Sequence, residues 1–232
     1  MPRKWKTDIS GLIEEIANGL MKLESDNFNI CKKMPYSDFS LRKVKQDFNL
    51  TIVEQNTFLT KIQPQQPSPF LAEFIKKYLP LALALNTEKA RSEMLICPIL
   101  LELKEISTSS ISLFSGNDFT VDTSIGLSGV CDFLISLSSE QLFLEAPAVV
   151  VVEAKKEDLN GGLGQCVAEM IAAQRFNEDN NTSIPIIYGT VTTGDRWKFL
   201  KIENQTVTIG LIEYTLPPLE QILGILVSFI QT

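Results

Sequence analysis

Three charged side chains stand in two segments that otherwise have the pattern of buried β-strands. Asp132 interrupts the apolar run of residues 129–135, and Glu153 and Lys155 end a run that begins with four valines, residues 149–152. Strand side chains alternate between faces, so Glu153 and Lys155 project from the same side. Burying such charges costs several kcal/mol each unless a metal, a partner or a substrate compensates them. The pattern therefore indicates a functional site.

Two carboxylates and a lysine are the groups that metal-assisted phosphodiester hydrolysis requires. Asp132 and Glu153, on adjacent strands, can hold one Mg²⁺, with Mn²⁺ as a substitute, and the backbone carbonyl of Ala154 is free to add a third oxygen. The cation would generate hydroxide near neutral pH. Lys155 would orient the water or stabilise the transition-state charge. The alternative is that these side chains lie in solvent, because the chain becomes polar directly after Lys155.

The chain contains no histidine. This excludes Ser-His-Asp and Cys-His catalysis, His-Glu-x-x-His metalloproteases, and nucleases whose general base is histidine. No Gly-x-x-x-x-Gly-Lys-Ser/Thr phosphate loop occurs either, and the Gly-Gly-Leu-Gly of residues 161–164 predicts a flexible turn between a strand and a helix. Any hydrolysis would therefore depend on carboxylates, lysine and a hard cation.

Composition describes an ordinary globular protein. The 232 residues, 44% of them hydrophobic, can form one elaborated domain or two small ones. The four cysteines include no Cys-x-x-Cys pair, so a zinc site is not expected. The basic N-terminus is not followed by an apolar stretch, and the apolar run of residues 222–230 is too short to span a bilayer. We therefore expect a soluble, cytoplasmic protein with no membrane partner.

The net charge of −7 is unevenly distributed. Residues 1–86 carry 12 Lys and Arg against 9 Asp and Glu, whereas residues 87–232 carry 9 against 19. The acidic total argues against a general nucleic-acid binder. The basic clusters all lie in the first part, and they are either solvated faces or phosphate-contacting surfaces: Lys32–Lys33, Arg42–Lys43–Lys45 and Lys76–Lys77.

Hydrophobic periodicity predicts an α/β protein with two parts, residues 1–86 and residues 87–232. In the first part it predicts an amphipathic helix over 8–24, strands within 47–62 and a helix over 70–85 interrupted at Pro80, with a boundary at the proline-rich residues 64–69. The second part is predicted to contain, in order, a helix at 87–106, strands at 111–114, 129–135 and 149–155, a helix at 163–177, strands at 186–192, 197–202 and 207–212, and a last helix.

The order helix, three strands, helix, strand, with Asp132, Glu153 and Lys155, resembles the PD-(D/E)XK, or restriction-endonuclease-like, nuclease superfamily. Residues 87–100 resemble the first helix of nuclease domains in type I restriction enzymes, which carry a Thr-Glu, an Arg and then Leu-Ile-x-Pro-x-Leu in similar register. The resemblance covers residues 87–200. It implies an αβββαβ core with a mixed central sheet flanked by helices, beside an N-terminal α+β extension.

The resemblance also implies roles for individual residues. Asp132 and Glu153 would bind Mg²⁺, Lys155 would be the catalytic lysine, and an acidic residue of the first helix would join them. Glu88 matches better than Glu93, and the two are five residues apart, about 140° around a helix, so they are not expected to reach one metal together. Gln165 matches a glutamine that some branches place beside the lysine, and Glu169 shares its face one turn later.

Two departures from the family pattern are visible in the sequence. Cys131 rather than a proline precedes Asp132, and Glu169 stands where one exonuclease branch has the tyrosine of Gln-x-x-x-Tyr.

The leading hypothesis is a Mg²⁺-dependent deoxyribonuclease, with an endonuclease favoured over an exonuclease. The alternative is a catalytically silent module of this fold that binds a nucleic acid or a protein. RNA, or structured or modified DNA, is a further candidate substrate. A homodimer would duplicate the basic N-terminal faces.

Overall fold

The computed structural model describes residues 35–231, so the helix predicted for residues 8–24 and the cluster Lys32–Lys33 lie outside the described residues. A π-helical turn, Ser92–Ile96, joins the helices Glu88–Arg91 and Cys97–Ile106 into one helical segment. In chain order the elements are α1 Leu41–Asp47, β1 Thr51–Gln55, α2 Pro69–Leu85, α3 Glu88–Arg91, α4 Cys97–Ile106, β2 Ser112–Asp118, β3 Val130–Ser136, β4 Ala148–Ala154, α5 Leu159–Asp179, β5 Ile187–Thr192, β6 Arg196–Glu203, β7 Thr206–Gly210, β8 Tyr214–Thr215 and α6 Leu219–Ile230.

The strands form one mixed sheet of eight, in the order β1-β7-β6-β5-β4-β3-β2, with the two-residue β8 beside β6. The pairs β4–β5 and β1–β7 are parallel, and the other neighbours are antiparallel. The predicted α/β class with a mixed sheet flanked by helices is confirmed, and so is the order of elements between residues 87 and 203. Parallel strands β4 and β5 are joined by α5, as a crossover connection requires.

Each face of the sheet carries its own core. Along β4, Val151 packs with α1 and α5 on one face, while Val150 and Val152 pack with α2, α4 and α6 on the other. Both faces are covered, which explains why β4 is almost wholly apolar instead of alternating. Trp197 and Phe199, two residues apart on β6, are fully buried on the second face.

Part of the N-terminal region belongs to the same sheet. β1 pairs in parallel with β7, and Val44 of α1 is buried against α5. Of the strands predicted within residues 47–62, Thr51–Gln55 forms one, whereas the prediction of a second strand around Phe58 and Ile62 is wrong. Ser40 caps α1 by accepting the Lys43 N–H, so the chain up to residue 47 is helical. The division at residue 86 remains a prediction.

Two local predictions are corrected by packing. α2 continues through Pro80, because Ile75 before it and Ala82 after it are both buried and hold the two halves in line. The predicted flexible turn at residues 161–164 lies inside α5, which begins where Asp158 accepts the Asn160 N–H. A Cβ at Gly164 would lie 2.2 Å from the Phe39 carbonyl oxygen. These glycines therefore permit close packing rather than flexibility.

The loop before β4 protects one outer edge of the sheet. The side-chain amide of Gln141 donates to the Leu113 carbonyl at 2.8 Å and accepts from the Leu113 N–H at 3.4 Å. It thereby takes the place of a neighbouring peptide group beside β2. None of the helices described between residues 35 and 231 combines the length and the apolar character needed to cross a membrane.

We predict that Gly164→Ala destabilises the protein by about 1–3 kcal/mol, because the new methyl would overlap the backbone of residues 39–41 and force α1 away from α5. Urea unfolding measures the change. The matched control is Gly161→Ala on the same helix, whose Cβ would meet only the movable Asp158 side chain at 2.7 Å. Equal free energies of unfolding for the two variants would contradict the close packing of α1 on Gly164.

Candidate active site

Asp132 and Glu153 face each other across β3 and β4. The strands pair Phe133 with Val152, and the same antiparallel register sets Asp132 opposite Glu153, so both project toward α5. The Ala154 N–H donates to Asp132 Oδ2 at 2.8 Å, which fixes the Asp132 carboxylate at the end of β4. The predicted meeting of these two carboxylates is consistent with this geometry.

Lys155 contacts Glu153 directly. Its ammonium group donates to Glu153 Oε1 and, at 3.2 Å, to Gln165 Oε1. The Lys155 backbone N–H donates to the Thr192 carbonyl at 2.8 Å, so the residue continues the β4–β5 pairing beyond the strand's last residue. The Glu153 side chain is 1% exposed and that of Lys155 is 26% exposed. The alternative, that the pair lies in solvent, is therefore wrong.

A second carboxylate stands behind this pair on α5. Gln165 Nε2 donates to Glu169 Oε1 at 3.1 Å, so Lys155, Gln165 and Glu169 form a continuous hydrogen-bonded series. Glu169 is fully buried, and its place on the helix face of Gln165 was predicted without a role in the site. The available signal was its position four residues after Gln165, one turn later on the same helix face. The structure makes it part of the site.

Burial sets the proton affinities in the site. It raises the pKa of Glu153 to about 8, with a further contribution from the charge of Asp132, and the attraction of Lys155 offsets only part of this rise. Burial also raises the pKa of Asp132, against the opposing effect of the Ala154 N–H. Burial lowers the pKa of Lys155, but the charge and the hydrogen bond of Glu153, together with the charges of Glu88 and Asp132, raise it overall, so Lys155 stays an ammonium group.

The two acidic candidates of the first helix are placed differently. Glu88 lies in the first turn of α3, and its charge raises the pKa of both Glu153 and Lys155, so it is electrostatically coupled to the site. Glu93 lies in the π-helical turn, 60% exposed, where it accepts from Lys89 at 2.8 Å. The geometry therefore favours Glu88 over Glu93 as the first-helix partner.

The carboxylate oxygens of Asp132 and Glu153 are the kind of ligand that a hard cation prefers. Among residues 35–231 no group of three or more His, Cys, Asp and Glu side chains is already gathered in a metal-binding geometry. However, Glu153 Oε2 and Glu169 Oε2 are buried without a hydrogen-bond partner in the part of the chain that the structure describes. A buried carboxylate oxygen without a partner is costly, and a cation beside Glu153 and Asp132 would remove that cost. Oxygen donors of this kind suit Mg²⁺ or Mn²⁺. The participation of the Ala154 carbonyl remains a prediction.

We predict that Glu169→Gln makes the protein less sensitive to rising pH. Burial raises the pKa of Glu169 well above 4.5, so above that pH the folded state retains a proton that the unfolded state has lost. The stability of the wild type therefore falls as pH rises from 4.5, by up to about 1.4 kcal/mol per pH unit for this group. Urea unfolding between pH 4 and pH 9 measures the difference.

The control for this prediction is Glu178→Gln, which changes an exposed carboxylate on the same helix. The free-energy difference between Glu169→Gln and the wild type should grow with pH, whereas the difference for Glu178→Gln should stay constant. Parallel pH profiles for Glu169→Gln and the wild type would show that the buried carboxyl group does not titrate differently in the folded state.

Comparison with protein-family models, with curated proteins and with solved structures gave no match to this chain in any of the three searches.

Proposed function

We propose that the protein is a Mg²⁺-dependent deoxyribonuclease of the PD-(D/E)XK type, with an endonuclease favoured over an exonuclease. One observation carries the proposal: a buried Glu153, in contact with the Lys155 ammonium group and facing Asp132, has a carboxylate oxygen with no partner among residues 35–231. The mixed sheet and the order of elements from α3 to β5 support it. A bound Mg²⁺ would supply a water molecule of lowered pKa and neutralise phosphate charge.

Each residue of the site has a distinct task in this proposal. Asp132 and Glu153 provide carboxylate oxygens for the cation, and Glu88 adds negative charge from α3. Lys155 would hold the attacking water or the negatively charged phosphate oxygens, since its side chain is 26% exposed. Gln165, held by Glu169, fixes the Lys155 side chain through its amide oxygen. The buried surroundings strengthen these electrostatic interactions.

The alternative is a catalytically silent module of the same fold that binds a nucleic acid or a protein. The contact between Lys155 and Glu153 supports this alternative, because the ammonium group already binds Glu153 Oε1, an oxygen that a cation would use. The two proposals differ in one property. Only the nuclease requires the Lys155 ammonium group to move away from one oxygen of the Glu153 carboxylate when Mg²⁺ binds.

We expect the protein to nick supercoiled plasmid DNA in the presence of Mg²⁺ or Mn²⁺ and to lose this activity in EDTA. Lys155→Ala should reduce the rate by about 10²–10³-fold, as removal of a group that stabilises transition-state charge typically does. Asp132→Asn, which preserves shape, should have a similar effect. Gel electrophoresis of the plasmid products measures the rate, with single-stranded DNA and RNA as parallel substrates.

The matched control is Lys156→Ala, which removes the neighbouring lysine, 55% exposed and 3.7 Å from Glu157. It should retain wild-type activity. Circular dichroism shows whether Lys155→Ala is folded, because removal of one partner leaves the buried Glu153 unpaired. Cleavage that persists in EDTA or in a folded Lys155→Ala variant would disprove the mechanism, and absence of cleavage of every substrate would favour the silent module.

We also predict that Mg²⁺ or Mn²⁺ raises the melting temperature without any substrate, since a ligand that binds only the folded state stabilises it by about 2.7 kcal/mol at 100 times its Kd. Glu88→Gln should diminish this shift, because it removes a negative charge coupled to Glu153. Glu93→Gln should leave the shift unchanged, because Glu93 is paired with Lys89 on the surface. Equal shifts in the two variants would contradict the assignment of Glu88.

A further inference from the structure

Two basic side chains on α1 have no acidic partner. Arg42 and Lys45 are exposed, and within residues 35–231 no carboxylate lies within ion-pair distance of either. Lys43, between them, is instead neutralised by Asp47 at 2.6 Å. Two unneutralised positive charges three residues apart on one helix repel each other. In a protein of net charge −7, this part of α1 is therefore a local positive surface.

This surface lies close to the candidate active site. The start of α1 packs directly on Gly164, where a Cβ would lie 2.6 Å from the Leu41 nitrogen. Gly162, two residues earlier on α5, packs on Lys155, where a Cβ would lie 3.1 Å from Lys155 Cε. Gly162 and Gly164 lie on different sides of α5, so the first turns of this helix lie between α1 and Lys155. The separation is about one helix diameter, roughly 10 Å, which is within the reach of a few nucleotides of a bound strand.

A cleft of about 460 Å³ beside α1 gives this surface its shape. It is lined by Leu41, Arg42, Lys45, Gln46, Ile52 and Glu54, so both unpaired cations face an open groove between α1 and β1. Glu54 is the acidic group within it.

A further cation lies between this groove and the site. Lys198 stands on β6 in the row that contains Glu153 and Val191, with its ammonium group 2.9 Å from Asn160 Oδ1 at the start of α5. Glu213, at 3.5 Å, partly neutralises it. Lys155 and Lys198 therefore place two ammonium groups on the sheet face that α1 and α5 cover.

We propose that the α1 surface, Arg42 and Lys45, binds the phosphate backbone of duplex DNA and holds it across the Lys155 site. This inference rests on the proposed nuclease function and adds to it the surface that anchors the substrate. The two side chains supply sequence-independent attraction, which an acidic core alone would lack. A polyanion satisfies both cations at once, with Arg42 able to grip a phosphate through two N–H donors.

The test is a binding measurement that does not depend on cleavage. Fluorescence anisotropy of a labelled 20-base-pair duplex is recorded in EDTA with the full chain, between 50 and 200 mM NaCl. The slope of log K against log salt should decrease in magnitude by about 1.8 in the double variant Arg42→Gln/Lys45→Gln, about 0.9 for each lost phosphate contact. The matched control is Lys76→Gln/Lys77→Gln, which removes two positive charges from α2 on the opposite face of the sheet.

The outcomes separate this inference from the proposed function. If the wild type binds and cleaves DNA but Arg42→Gln/Lys45→Gln keeps the wild-type salt slope, the assignment of DNA binding to the α1 surface is wrong. The proposed nuclease function is then unaffected. An equal loss of slope in the Lys76→Gln/Lys77→Gln control would reduce the effect to net charge and overturn the inference. If the wild type neither binds nor cleaves DNA, both proposals fail. Binding to phosphatidylserine vesicles instead, lost in Arg42→Gln/Lys45→Gln, would assign the surface to a membrane.

Discussion

The contact between Lys155 and Glu153 is the interaction on which the arrangement of the site depends. Glu153 cannot reach water, because it belongs to a strand that is buried on both faces, and the Lys155 ammonium group in contact with it compensates its charge when it is ionised. That contact fixes Lys155, which in turn is held by the Thr192 carbonyl and by Gln165. α5 must then approach closely enough to present Gln165, and residues without side chains make the approach possible. A single buried carboxylate thus determines how the helix packs on the sheet.

The local parts of this arrangement could be predicted from the sequence, whereas the non-local parts could not. The valine run specified β4, and strand alternation set Glu153 and Lys155 on one side, because both depend on neighbouring residues. The position of β1 beside β7 depends on the pairing of Thr51 with Thr206, which no local pattern contains. The glycines of α5 were misjudged for the same reason: what demands them is the contact with Phe39 and Lys155, which are remote in sequence.

The uneven charge distribution, whose acidic total argues against a general nucleic-acid binder, has a structural explanation under the proposed function. The acidic side chains of the second part include the groups that a cation would neutralise, and Arg42 and Lys45 of the first part lie near the site because α1 packs on α5. The described residues of α1 and β1 therefore share one sheet and one core with the acidic part of the chain. A nuclease built in this way obtains its substrate affinity and its chemistry from distant segments of the chain.

The side chain of Gln141 has a consequence for the solubility of the protein. β2 is an outer strand, and its Leu113 peptide groups would be available to another chain if Gln141 did not already bond to both of them. An exposed strand edge is a template for intermolecular pairing and aggregation. The amide is long enough to imitate a peptide group, and replacement by a shorter side chain would leave that template open. One glutamine in the loop before β4 thus protects the sheet from growing by addition of a further strand.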